Sequence, residues 1–107
     1  ARRQVALYLP VVANLDPTIE IDPEFADRLG EYVNQGDWDS ASAMISDDLL
    51  DKFAFSGNAE DLIRQGNALF EAGANRIEYG TPHGLVPTDG LSILGKTVLP
   101  ELRRMWQ

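Results

Sequence analysis

Apolar residues along this chain follow two spacings, and the switch between them falls near Phe53. Gln4 to Val12 (QVALYLPVV) fits both an alternating strand and a helix ending near Pro10, and the helix is preferred. Asn14 to Ile21 reads as a loop. Asp22-Pro23 then offers a capping acid followed by the residue best suited to a first helical position. The helix predicted from about Pro23 to Gln35 carries Phe25, Leu29, Tyr32 and Val33 at i, i+4, i+7 and i+8, one buried stripe, and Gly36 ends it. Trp38, Ala41 and Ile45 mark a second short helix, and Ser46-Asp47-Asp48 caps one more turn through Leu49 and Leu50.

From Phe53 the pattern shortens. Phe53-Ala54-Phe55-Ser56 reads as a strand that runs into Gly57-Asn58, a turn and a helix cap. Glu60 and Asp61 in the first turn suit the helix dipole, Leu62, Ile63, Leu69 and Phe70 form a core face, and Ala72-Gly73 stops the helix. Arg76-Ile77-Glu78-Tyr79 alternates as a second strand and ends in the loop Gly80-Thr81-Pro82-His83-Gly84. Thr88 or Asp89 is expected to cap a last helix with the stripe Leu91, Leu94, Val98, Leu102 and Met105, kinked near Pro100. Residues 1–52 are thus a helical excursion, and 53–107 a strand-helix-strand-helix unit whose crossover suits parallel strands.

A length of 107 residues with 44% hydrophobic and 24% charged positions argues for one small domain with one core. The absence of Cys removes disulfides, thiolate metal sites and Cys nucleophiles. No apolar run suggests a membrane span or a signal sequence, so a cytoplasmic protein without a membrane partner is expected. The net charge of −8 is concentrated: Asp16 to Asp61 holds 13 acids against 2 bases. With its arginines scattered or terminal, the chain lacks the basic face that nucleic acid requires. Solvated helix faces are the simplest reading of the acidic segment, with a halophilic source or a basic partner as alternatives.

Parallel sheets have several strands and are covered on both faces, and two strands alone are marginal in water. The unit therefore needs a complement, supplied by another copy of the chain or by the remainder of a larger α/β protein, the latter preferred. The residues that point this way also carry a family resemblance. Phe53-Ala54-Phe55-Ser56-Gly57, then Ala72-Gly73-Ala74-Asn75-Arg76-Ile77-Glu78-Tyr79-Gly80-Thr81-Pro82-His83-Gly84, then Leu94-Gly95-Lys96-Thr97-Val98-Leu99-Pro100, resemble the C-terminal end of the luciferase-like monooxygenase superfamily, and within it the archaeal deazaflavin-dependent methylenetetrahydromethanopterin reductases. The resemblance implies an α/β fold, the C-terminal part of a (β/α)8 TIM barrel comprising the last two βα units and a preceding helical excursion. It also implies coenzyme F-420, with FMN as the alternative, at the C-terminal ends of the strands. The barrel would transfer a hydride to or from a methylenetetrahydromethanopterin-like substrate, and this portion alone would be inactive. Relatives commonly carry Thr-Pro-Glu where this chain has Asn58-Ala59-Glu60; the helix cap survives the change.

In such barrels the loops after the strands form the active face. Ser56, Gly57, Asn58, Gly80 and Thr81 are therefore the candidate cofactor-binding residues and Pro82 and His83 the candidate substrate-binding ones, with no catalytic residue assigned. Glycines let a planar ring or a phosphate approach the backbone, and a helix start offers N–H groups to an anion. A strand-to-helix connection would use the same residues for purely structural reasons. His83 is the only His, so no metal site is expected, and it either contacts cofactor or substrate or has a capping or solvent role. Trp38 and Trp106 read as core or interface residues, and Arg103-Arg104 as cations suited to a helix C-terminus. The competing functional reading is a non-catalytic acidic helical module that binds a protein partner.

Overall fold

Caps placed in the sequence decide where most of the helices begin in the computed structural model, which describes residues 1–107. Asp22 accepts from the Glu24 N–H at 3.2 Å and Pro23 opens α2 (Pro23–Asn34). Asp37 caps α3 (Trp38–Ala43), and Ser46 caps α4 (Asp47–Phe53) by accepting from Leu49 N–H at 3.1 Å. Gly36 takes the left-handed turn that releases the chain from α2, with φ of 71°. Ahead of these, α1 (Arg2–Val12) runs through Pro10 rather than ending there, because its face of Val5, Ala6 and Leu9 is held by burial.

The chain divides into two compact units, Ala1–Ala54 and Phe55–Gln107. Chain length alone argued for a single core, and the structure corrects this: each unit has its own cluster. In the first, Leu9 of α1, Leu29 of α2, Ala41 of α3, Leu50 of α4 and Ile45 between α3 and α4 are buried together, with Phe25, Tyr32 and Val33 packed against them. Arg2 ties the same unit together by donating to the Ile45 carbonyl at 2.8 Å and pairing with Asp47, while the Arg3 guanidinium lies 4.4 Å above the Trp38 ring. Four short helices can do this because small residues such as Ala6 and Ala41, both fully buried, let their axes approach.

In the second unit, α5 (Ala59–Glu71) is followed by a long irregular segment. A final helix then comprises α6 (Pro87–Ile93), a π-helical turn (Leu94–Val98) and α7 (Leu99–Trp106). Its buried residues are Leu94, Val98 and Leu102, against which Leu62, Ile63 and Tyr79 pack. Each such side chain contributes about 1.5–3 kcal/mol of transfer free energy, so this core is thin. The stripe read from the sequence is buried only in its middle, since Leu91 and Met105 at its ends stay 52% and 42% exposed. No side chain caps α6. Pro87 occupies its first turn and Val86 stands at the cap, in place of the expected Thr88 or Asp89. The kink expected near Pro100 takes the form of the π turn: Pro100 offers no N–H, and upstream Leu99 N–H reaches back five residues to the Leu94 carbonyl.

The structure contains no β-strand. Residues 53–56 and 76–79, expected as parallel strands, form no ladder, and Phe53 is instead the last residue of α4. The physical reason is the one that called for a complement: a strand is defined by its neighbour's hydrogen bonds, and a lone parallel pair gains too few. No helix is long and apolar enough to cross a membrane.

Candidate functional site

The second unit holds all seven candidate residues, in two loops that flank α5. At the first, Gly57 has φ of 122° and an added Cβ would lie 2.3 Å from the Asp61 Oδ2, so only glycine fits. Next to it Asn58 and Asp61 form a reciprocal capping box: Asn58 Oδ1 accepts from Asp61 N–H, and Asp61 Oδ2 accepts from Asn58 N–H, both at 3.0 Å. This occupies two of the N–H groups that the sequence offered to an anion and sets a carboxylate among them. Asn58 is thus first a helix cap. Ser56 is half-buried, and the Gln65 side chain of α5 grips it from both sides, accepting from its N–H at 3.1 Å and donating to its carbonyl at 3.0 Å. An amide side chain here satisfies the backbone groups that a neighbouring strand would otherwise take. Gln65 was missed in the sequence because nothing in its spacing distinguishes it from a solvent-facing helix residue.

Tyr79 organises the second loop. Its ring lies 5.9 Å from the Phe55 ring at 56°, so the segments leading into the two loops touch through this pair. The phenol reaches over Gly66 of α5 toward the Leu62 carbonyl, at 3.4 Å. Burial of the phenol raises its pKa above the ordinary 10.0. The Tyr79 carbonyl meets His83 Nε2 at 3.0 Å and closes Gly80-Thr81-Pro82 into a tight loop with a cis Thr81–Pro82 peptide. Behind it, an added Cβ on Gly90 would sit 1.3 Å from the His83 carbonyl oxygen, so the start of α6 presses directly on the loop. Gly80, Thr81 and Pro82 are exposed and His83 is half-buried.

The structure brings Ser56 and Gly80 into adjoining segments, each one residue past a member of the aromatic pair, but no hydrogen bond joins the two loops. A Cβ on Gly80 would meet nothing within 4 Å, so one face of this loop is open, as the approach of a planar ring requires. No three His, Asp or Glu side chains converge anywhere to hold a metal. A separate open groove of about 790 Å3 between α5 and the final helix is lined by Ile63, Arg64, Lys96, Thr97, Arg104 and Met105 among others, and none of the seven candidates reaches it. The Arg104 hydrogen bonds at its rim hold the Glu101 carboxyl below the usual range.

Comparison with known proteins bears on this geometry. The chain is 29% identical over 77 residues to a 5,10-methylenetetrahydromethanopterin reductase of Archaeoglobus fulgidus, a match covering 72% of this chain and 23% of the relative. It is 24% identical over 103 residues to the reductase of the same name from Methanopyrus kandleri, covering 94% of this chain and 30% of the relative. A third, from Methanolobus tindarius, is 25% identical over 100 residues, 90% of this chain and 31% of the relative. The resemblance read from the motifs therefore holds: the chain is similar to archaeal methylenetetrahydromethanopterin reductases. It spans less than a third of the length of these curated relatives. No family model matches the chain. No solved structure matches it either.

Proposed function

We propose that the chain forms part of an oxidoreductase of the methylenetetrahydromethanopterin reductase kind, as the C-terminal portion of a (β/α)8 barrel completed by the remainder of that barrel or by another copy of the chain. The observation that carries this reading is the similarity, over as much as 94% of the chain, to proteins that share one enzymatic name. The two loops support it. The segments that lead into them meet through the Phe55–Tyr79 ring pair, and the face of Gly80 is open. Coenzyme F-420, with FMN as the alternative, would supply hydride transfer when bound. Ser56, Gly57, Asn58, Gly80 and Thr81 would border it, and Pro82 and His83 would border the pterin-like substrate. These residues bind and orient. Residues outside this chain would complete the chemistry, in a cytoplasmic enzyme.

Fragment complementation tests the proposal. The chain is mixed with the part of the Archaeoglobus relative that it does not match, and oxidation of reduced F-420 by methylenetetrahydromethanopterin is followed by absorbance. Turnover is expected only in the mixture, and Gly80→Val should weaken F-420 binding there more than a Glu78 substitution, with thermal melts separating lost folding from lost binding. Turnover by the chain alone would overturn the fragment reading, and inactivity of a mixture that does associate would overturn the reductase assignment. The competing reading, an acidic module that binds a protein partner, draws on one observation: Tyr8 and Val11 on α1 and Leu15 after it are 59%, 63% and 77% exposed.

A further inference from the structure

A carbonyl oxygen can only accept a hydrogen bond, so the 3.0 Å contact between His83 Nε2 and the Tyr79 carbonyl requires the proton on Nε2. In the neutral ring this leaves Nδ1 as a lone-pair acceptor. Nδ1 has no hydrogen-bond partner, and the half-buried ring leaves no buried polar side-chain atom unpaired, so Nδ1 faces solvent at the loop. The carbonyl that selects this tautomer is itself fixed. Tyr79 is held by the Phe55 ring and by the close passage of its phenol over Gly66, where an added Cβ would fall 2.7 Å from the oxygen, and Gly90 supports the His83 backbone from the other side. Three elements thus converge to present one unpaired acceptor in the same loop as Gly80, whose own face is open.

We propose that His83, held as its Nε2–H tautomer, is a ligand-binding residue that accepts through Nδ1 a hydrogen bond from the ring N–H of a pyrimidinone-type heterocycle, with Tyr79, Gly66 and Gly90 as its positioning residues. This rests on the reductase reading for the identity of the ligand, since both a reduced pterin and a deazaflavin carry such an N–H. The fixed tautomer is a property of the chain by itself. It matters because an acceptor whose rotation and protonation are already set binds without the cost of ordering.

Since His83 is the only histidine, ring-labelled nitrogen NMR of the whole chain reads it without ambiguity. In its neutral ring the free chain should show a protonated Nε2 and an unprotonated Nδ1, and Gly66→Ala should mix the tautomers by displacing Tyr79. In the mixture with the complementing part of the barrel, where only this chain carries the label, titration with F-420 and, separately, with tetrahydromethanopterin should move the Nδ1 resonance and leave Nε2 in place with the ligand that His83 serves. Two substitutions separate anchoring from binding: His83→Gln places an amide near the Nε2 position, and His83→Asn places one near Nδ1. The Gln variant should keep the melting temperature but bind about tenfold more weakly, the loss of one hydrogen bond, whereas the Asn variant should melt earlier yet retain more of the affinity. A neutral ring protonated on Nδ1 in the free chain overturns the proposal without reference to any ligand. Shifts in Gly80 and Thr81 on titration with His83 unmoved overturn the role of His83 alone. No shift anywhere with either probe overturns the reductase reading for this loop together with that role.

Discussion

At the scale of single residues, helical glycines with opposite surroundings give a sharp test. Gly30 of α2 has nothing within 4 Å of where a Cβ would stand, so Gly30→Ala should stabilise the protein by about 0.5–1 kcal/mol through backbone entropy alone. Gly66 of α5 would place the same methyl 2.7 Å from the Tyr79 oxygen and 2.9 Å from a methyl of buried Leu102. Overpacking there costs about 1–3 kcal/mol, and Gly66→Ala should be a net loss in urea denaturation despite the same gain in propensity. The variant should also let Tyr79 ionise more nearly as a free phenol. In the parent protein burial raises that pKa above 10.0. The unfolded chain therefore loses the proton first, and stability present below pH 10 falls as pH rises further. Absorbance titration of the phenolate band, comparing Gly66→Ala with the parent, checks both the shift and its cause. Gly66 and Gly90 were legible only as isolated glycines in helical pattern, a signal that marks a close approach without naming what approaches. The loop glycines drew attention instead because turn chemistry is local.

Among the elements, those whose start is written in a few consecutive residues were legible. Asp22-Pro23, Ser46-Asp47-Asp48 and Asn58 with Asp61 each cap a helix within a residue or two of the expected place. The α5 cap carries a measurable share of stability: Asn58→Ala should cost about 0.5–2 kcal/mol, and Asn58→Asp less, because a carboxylate still accepts from the Asp61 N–H but stands beside two more acids. Thermal melts of the two variants check the order, and an equal loss would mean that charge rather than the cap bond dominates. Less legible were the ends set by nonlocal contacts. Pro10 looked like a stop, yet burial of Val5, Ala6 and Leu9 carries α1 two residues beyond it. Pro100 was visible as a disturbance, but whether a helix meets a proline by bending or by opening a π turn depends on which residues must stay buried; here Leu94, Val98 and Leu102 must. The segments 53–56 and 76–79 are the plainest case, since a strand is a property of two segments and the sequence shows only one at a time.

Over the whole molecule, charge and exposed apolar surface pull in opposite directions. The net charge is −8, with the excess concentrated between Asp16 and Asp61, and like charges at this density repel other copies of the chain. Large apolar side chains nonetheless stand in solvent in both units: Tyr8, Val11 and Leu15 in the first, and Leu85, Val86 and Leu91 in the second, with Leu85 fully exposed. Association that buries them gains about 25 cal/mol per Å2 of apolar area, a term that salt leaves intact, whereas the opposing repulsion is screened over about 10 Å at 0.1 M salt. Added sodium chloride should therefore both raise the melting temperature and increase the mass measured by light scattering. Charge-reversing the exposed Asp48 and Asp51 to Lys should shift the onset of association to lower salt, and Val11→Ser with Leu15→Ser should suppress it without lowering the melting temperature, because neither side chain belongs to the buried core. Association that weakens as salt rises would show that ion pairs, not apolar faces, join the copies, and the acidic segment would then be the contact surface rather than the brake.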